Sequence, residues 1–483
     1  MRFSAGIALS LSMLAPMAGL ASAPAQEVGE PVTIGHRYNI QSKVLNETRQ
    51  YLVHKPGGYD FSDERYPVVV LLDGESNFQH VSATLDHLRN TGRVLPMLLV
   101  GIENTDRQRD FTPPILTAKP EDRPPGVVGG ASQFLSFIAE ELLPHIDKTY
   151  RTRPTRILIG HSYGGLFAVH TLFNRPEVFK AYIAISPSLW WDDQALAKQA
   201  DRFVADHKDL QSAVYMTMGN EGGSMLGGAQ KVIGALASSP RNFSTAFHNW
   251  PEESHGSVVM RSVYEGMEWL YEPYYQHEPI RTYEESGLQV FDKRFGRIST
   301  YLGYEVKVPE HVLMQIQNYL QQEKRSQEAQ QVLKRVIEIY PVSPGAHYEL
   351  GKTYLALDDR ANAVQELKRT LELYPGHVGA RSDLEKLGID AKTVVTETSV
   401  VPAVLRGYVG EYRYSDETSI VTLEDGKLFM KLGKDKRELQ ARSNVSFFAI
   451  DSDREYTFNR RAGRTASLTV QLPEFAYESQ KVK

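Results

Sequence analysis

The chain has 483 residues, 41% of them hydrophobic and 23% charged, with 54 Lys and Arg against 59 Asp and Glu for a formal net charge of −5. Such a chain is soluble and globular and long enough for two or three domains, and its balanced charge, without a long basic run, excludes the electrostatic footprint of nucleic-acid binding. It contains no cysteine, which excludes disulfides, thiolate metal sites, a cysteine nucleophile and a lipidated cysteine.

The amino terminus places Arg2 before an apolar stretch from Ile7 to Leu20 and then the small residues Ala21-Ser22-Ala23-Pro24-Ala25. That order predicts a secretory signal peptide over residues 1–25, cleaved after Ala25 because proline is disfavoured at the first mature position. Ser10, Ser12, Pro16 and Gly19 interrupt the run, whereas a spanning helix needs about 20 mostly apolar residues. No later segment is apolar over such a length. With neither a twin arginine nor a lipidation site, the mature chain is expected free in a periplasm or outside the cell.

Residues 26–290 read as an α/β domain with a mostly parallel sheet covered by helices on both faces. Strands are predicted at 49–54, 67–72, 97–102, 156–159, 181–185, 213–218 and 243–249. Helices are predicted at 77–92, 131–149, 164–174, 192–208, 224–238 and 257–271. A poorly patterned connection from about 275 to 307 follows. Ala329, Leu333, Glu338, Tyr340 and Pro341 then recur as Ala363, Leu367, Glu372, Tyr374 and Pro375, a spacing of 34 residues. With Leu350-Gly351 and Tyr354, residues 308–390 resemble a short tetratricopeptide array of two units and a capping helix near 382–387. Such a segment serves either as a packing appendage or as a protein-binding groove. Residues 400–483 carry short alternating runs and the turn pairs Asp425-Gly426 and Ala462-Gly463, which predict a small antiparallel meander or barrel. They resemble a small β-module appended to some secreted hydrolases.

Gly160-His161-Ser162-Tyr163-Gly164 matches G-x-S-x-G, with Ile157-Leu158-Ile159 as the strand before it and a helical run after it. That is the context of a nucleophile elbow, in which the serine projects from a tight strand-to-helix turn. A serine hydroxyl is a weak nucleophile until a base takes its proton. Of His170, His207, His248, His255 and His277, only His255 falls in a loop just past the last strand. The acid that orients the base is expected at the end of the preceding strand, where Glu221 stands. Glu252 and Glu253 are rivals, and a Ser-His dyad is the other arrangement. Backbone N–H donors for an oxyanion are expected from Tyr163 and from the Asp73-Gly74-Glu75-Ser76 turn, with Gly74 favoured.

With these residues in place, the segment from about 32 to 272 resembles the putative esterase family of α/β-hydrolases, in a branch related to periplasmic siderophore esterases. The phrases that carry the resemblance are 71–75, 101–110, the elbow itself and Ser186-Pro187-Ser188-Leu189-Trp190-Trp191. The resemblance implies hydrolysis of a small-molecule ester without metal or cofactor, in relatives that manage with Ser and His alone. Trp190 and Trp191, at the sheet edge where ligands bind, are expected as an apolar wall, with burial in the core as the alternative. Arg107 and Arg109 are expected to meet an anionic substrate group, with ion pairing to Asp110 as the alternative. The rival functions are acyl transfer from the same acyl-enzyme and a non-catalytic binding protein acting through the repeats.

Overall fold

The computed structural model describes residues 32–482 except 60–63, 118–124, 273, 276, 396, 416, 451, 462 and 473–475. The predicted signal peptide, residues 1–25, lies outside the described residues. Eight strands form one sheet: β1 (His36–Ser42), β2 (Glu47–His54), β3 (Tyr66–Leu71), β4 (Leu98–Ile102), β5 (Thr152–His161), β6 (Ala181–Ile185), β7 (Ser212–Met218) and β8 (Phe243–Asn249). Their order is β1-β2-β4-β3-β5-β6-β7-β8, antiparallel at β1/β2 and β2/β4 and parallel from there to β8. The predicted strands are all present. β1 was not predicted, because its exposed, polar residues carry no apolar run.

The sheet is buried on both sides because successive residues of its central strands are all apolar. Val68, Val70 and Leu72 face one core, while Val69 and Leu71 face the other, as the two-residue period of a strand requires. The helices of this region are α1 (Gly74–Asn90), α2 (Arg107–Phe111), α3 (Ala131–Phe137), α4 (Leu143–Thr149), α5 (Tyr163–Asn174), α6 (Trp191–Asp206), α7 (Gly223–Ala237) and α8 (Val258–Tyr271). A π-helical turn over Ile138–Leu142 joins α3 to α4. Residues of α3 to α7 build the first core, and residues of α1 and α8 build the second.

The second core does not stop at α8. It continues through α10 (Gln289–Leu302), which follows α9 (Pro279–Ser286), and then through α11 (Glu310–Gln322) and α12 (Ser326–Ile339). The poorly patterned connection is thus two helices, and Phe291, Phe295, Ile298 and Leu302 of α10 are buried. The repeat pairs α11 with α12 and α13 (Pro344–Ala356) with α14 (Arg360–Leu373), followed by α15 (Val378–Lys386). The last segment opens with α16 (Pro402–Tyr408) and forms a closed antiparallel barrel. Its strands are β9 (Gly410–Tyr414), β10 (Glu417–Glu424), β11 (Lys427–Leu432), β12 (Asp435–Ala441), β13 (Ser446–Ala449), β14 (Ser452–Arg461), β15 (Arg464–Gln471) and β16 (Ala476–Lys481).

The barrel seats on the loop between α14 and α15. Val378 N–H donates to Asp453 Oδ1 at 3.0 Å, and Arg442 Nη1 donates to Leu373 O at 3.2 Å. Gly376 permits this approach, since a Cβ there would stand 2.8 Å from Ser452 O. Residues 35–483 accordingly form one compact unit. Among the described residues no helix is long and apolar enough to cross a membrane.

A chain shortened to residues 26–290 loses the buried side chains of α10, each worth about 1.5–3 kcal/mol of burial. Compared with residues 26–483, it is expected to melt at a markedly lower temperature or to elute as aggregates in size-exclusion chromatography.

Candidate active site

The elbow is built from close backbone approach. A Cβ on Gly160 would stand 2.2 Å from Gly164 O, and one on Gly165 would stand 2.9 Å from Pro187 Cα. Only glycine lets the end of β5 and the start of α5 pass at that separation. Between them Ser162 takes φ 60° and ψ −116°, a conformation that costs a non-glycine residue on the order of 1–3 kcal/mol. It is held there by hydrogen bonds from Ser162 N–H to Ile185 O at 2.9 Å, and from Leu166 and Ser188 N–H to Ser162 O at 2.9 and 3.1 Å.

At the neighbouring strand ends, His255 Nδ1 and Glu221 Oε1 share a short hydrogen bond. Since the carboxylate accepts, Nδ1 carries the proton and Nε2 of the neutral ring is left free to accept one. Burial acts to raise the Glu221 pKa, but hydrogen bonding to His255 and to its own backbone N–H holds it below the usual carboxylate range. The rival carboxylates are engaged elsewhere: Glu252 accepts from Arg261 Nη1 at 2.6 Å and Glu253 from Ser257 Oγ at 2.6 Å. His170 lies buried in α5 beside Asn174, and His207 donates from Nδ1 to Phe203 O at 2.8 Å.

Ser162 and His255 share no hydrogen bond in this rotamer. Ser162 Oγ lies instead 3.4 Å from the Oγ of buried Ser188. Apo catalytic contacts are often long and tighten only when substrate binds. A residue not singled out by sequence reasoning connects the two strand ends. His161 Nε2 donates to His255 O at 2.7 Å, and the two rings lie 4.6 Å apart. Burial, reinforced by the charge of His255, pushes the His161 pKa down to about 4. The neutral ring donates through Nε2 because a carbonyl can only accept. Its position as the first x of G-x-S-x-G was the available signal, and Ser188 was visible only as part of Ser186-Pro187-Ser188.

Tyr163 and Gly74 are the first residues of α5 and α1, so neither backbone N–H has a carbonyl partner within its own helix. Asp73, at φ 55° and ψ 46°, makes the turn into α1. A Cβ on Gly74 would meet Gly101 C at 2.8 Å, so the β3 turn packs directly on β4.

The two arginines are occupied differently from the expectation that they meet substrate. Arg107 donates from Nε and Nη2 to Asp73 at 2.6 and 3.0 Å, and from Nη2 to His161 O at 3.0 Å. Its guanidinium also lies over the Tyr163 ring at 5.7 Å. Arg107 thus ties together the two turns that carry Gly74 and Tyr163, with only Nη1 lacking a partner among the described residues. Arg109 corrects the expectation outright: it pairs with Glu47 at 2.6 Å and Asp110 at 2.7 Å. The same Asp110 pairs with the fully buried Arg49 at 2.5 Å, so this is a structural ion network.

The tryptophans also divide. Trp191 is buried and donates its indole N–H to Pro113 O at 3.0 Å, so it is core and not a pocket wall. Trp190 is 39% exposed with its ring 6.2 Å from that of Tyr163. It is displayed by a left-handed run, Asp192, Asp193 and Gln194, all at positive φ. Asp192 fixes that run by accepting from Leu116 and Thr117 N–H, each at 2.9 Å.

His161 and the buried His170, whose pKa burial also pushes down to about 4, bind protons more weakly folded than unfolded. The unfolded chain therefore holds the extra protons between pH 6.5 and 4, and stability is lost as pH falls through that window. The loss approaches on the order of 3 kcal/mol per ring at the acid end. Denaturant unfolding at pH 7 and pH 4.5 should register this loss, and His170→Asn should show a smaller difference between the two.

Residues 42–254 match the family model described as putative esterase, and residues 320–384 match a tetratricopeptide repeat model. The ferri-bacillibactin esterase of Bacillus subtilis is 35% identical over 184 residues, which is 34% of this chain and 62% of that protein. The siderophore enterobactin esterase of Emericella nidulans is 36% identical over 173 residues, 32% of this chain and 56% of that protein. The chain thus spans less than two thirds of the length of either relative. Among solved structures, an IroE-like serine hydrolase from Shewanella oneidensis is 28% identical with a TM-score of 0.55, covering 63% of this chain and 99% of that one. An uncharacterised protein from Capnocytophaga ochracea, 18% identical with a TM-score of 0.54 over 70% of this chain and 93% of its own, shares the fold. A G-x-S-x-G elbow in an eight-stranded sheet and the match over residues 42–254 agree: that part of the chain is similar to the putative esterase family, and a segment similar to tetratricopeptide repeats and a small β-barrel follow it.

Proposed function

We propose that the chain is an exported serine esterase that cleaves carboxylic esters of the siderophore type through an acyl-enzyme on Ser162. The observation that carries this reading is the Glu221–His255 hydrogen bond at the strand ends beside the strained Ser162. Ser162 Oγ attacks the ester carbonyl while His255 Nε2 takes its proton, and Glu221 holds the ring and balances the imidazolium. The N–H groups of Tyr163 and Gly74 receive the oxyanion. His255 then returns the proton to the departing alcohol oxygen, leaving the acyl group on Ser162. Water attacks that ester with His255 again as base, and the acid is released.

The substrate class rests on the similarity to siderophore esterases and on the aromatic surface of Trp190 beside Tyr163 and Arg107. Planar aryl groups favour such a surface, and the Nη1 edge of Arg107 suits a phenolate or carboxylate. The repeats serve here as packing between the sheet and the barrel, supported by the continuous core through α12.

With a panel of p-nitrophenyl, aryl and catecholate trilactone esters, Ser162→Ala should lose several orders of magnitude in kcat. Glu221→Gln should lose roughly 10²–10⁴-fold, because the His255 tautomer is no longer held. Undiminished hydrolysis by Ser162→Ala would sink the assignment, and full activity in Glu221→Gln would leave a Ser-His dyad. For export, the protein recovered from a periplasmic fraction or medium should begin at Gln26 on amino-terminal sequencing.

A further inference from the structure

One flank of α8 is lined by aromatic and charged side chains. Tyr264, Glu265, Glu268, Trp269 and Glu272 recur at a spacing of three to four residues and so share one side of the helix. β8 is the last strand of the sheet, so no further strand covers this flank. A cleft of about 480 Å³ remains there, walled also by Tyr215 of β7, His248 of β8, and Arg93, Tyr275 and His277 from the neighbouring loops. Small-molecule sites are usually of roughly this size, with apolar or aromatic walls and a few placed polar groups.

The cleft carries two polar groups that the fold leaves unmet. Tyr215 is 1% exposed, with its ring 5.6 Å from that of Trp269 and 5.5 Å from that of His248, and its hydroxyl has no hydrogen-bond partner among the described residues. Burial, with the charge of Glu265, raises its pKa, so the hydroxyl keeps its proton and can both donate and accept. A buried hydroxyl left unpaired destabilises a fold. The second group is the exposed carboxylate of Glu272, which has no partner among the described residues. The other two carboxylates are answered: Glu265 accepts from Arg261 Nε at 2.9 Å, and Glu268 pairs with Arg93.

Three carboxylates thus meet two guanidinium groups, which leaves the cleft negative. Both guanidinium groups already lie on aromatic faces, Arg93 over Tyr275 and Arg261 over Trp250, each at 4.6 Å. Trp269, the ring type that attracts cations best, stands between the two unmet groups, three residues before Glu272 and against Tyr215. We propose that this cleft binds a small aromatic amine, with its ammonium at Glu272, its ring along Trp269, and a ring hydroxyl paired with the hydroxyl of Tyr215. The site is separate from Ser162 and stands whether or not the proposed esterase activity does.

Isothermal titration of the full chain at low salt tests it, with tyramine as the probe and 3-(4-hydroxyphenyl)propionate as its anionic counterpart. Millimolar or tighter binding of tyramine is expected, with the propionate at least tenfold weaker. Glu272→Gln and Tyr215→Phe should each weaken tyramine binding by about tenfold. Without ligand, Tyr215→Phe should melt at or above the temperature of the unsubstituted chain, because it removes only an unpaired hydroxyl. A lower melting temperature would show that the hydroxyl already has a partner, and overturns the proposal. So does absence of tyramine binding, equal affinity for the propionate, or tyramine affinity that survives either substitution.

Discussion

One guanidinium holds the active edge of this protein together. Arg107, the first residue of α2, clasps Asp73 at the end of β3 and reaches His161 O at the end of β5. The two expected oxyanion donors stand close along the chain to those partners, Gly74 directly after Asp73 and Tyr163 two residues after His161. Bidentate geometry fixes orientation as well as distance, so Arg107 reinforces the spacing that β3/β5 pairing gives the two helix N-termini. Asn104 supports it, donating to Asp73 Oδ1 at 2.7 Å and to Glu75 Oε1 at 2.6 Å.

His161 extends the same scaffold from β5 to the loop after β8. Its neutral ring donates to the His255 carbonyl, so the loop that carries His255 is anchored next to Ser162. Glu221 and Ser188 come from the two strands between. Six consecutive strand ends, β4, β3, β5, β6, β7 and β8, thus converge on one edge of a sheet whose interior is apolar on both faces. That is where an open α/β sheet places its ligands.

The carboxyl-terminal half is bound to this scaffold by shared apolar packing. Because α10, α11 and α12 complete the second core, the repeats do for the sheet what a neighbouring repeat would do for them. Their far end is covered in turn by the barrel, where Gly376 and Asp453 meet.

Much of this was legible along the chain, because it depends on local pattern. Apolar runs marked the buried strands, glycines at 160 and 164 marked a turn that only glycine can make, and the 34-residue period marked stacked helices. The order Ser162, Glu221, His255 followed from strand ends alone. The tertiary structure decided what depends on partners distant in sequence. Arg109 and Arg107 look alike as exposed loop cations, yet one meets Glu47, 62 residues away, and the other His161, 54 away. Trp190 and Trp191 are adjacent, yet only the fold turns one outward and gives the other's N–H to Pro113. The sequence by itself determined which strands are buried, where the backbone must turn and which residue types stand at the strand ends. Side-chain roles at those ends were left to tertiary structure, because charge pairing and burial are set by whichever surface the rest of the chain brings near.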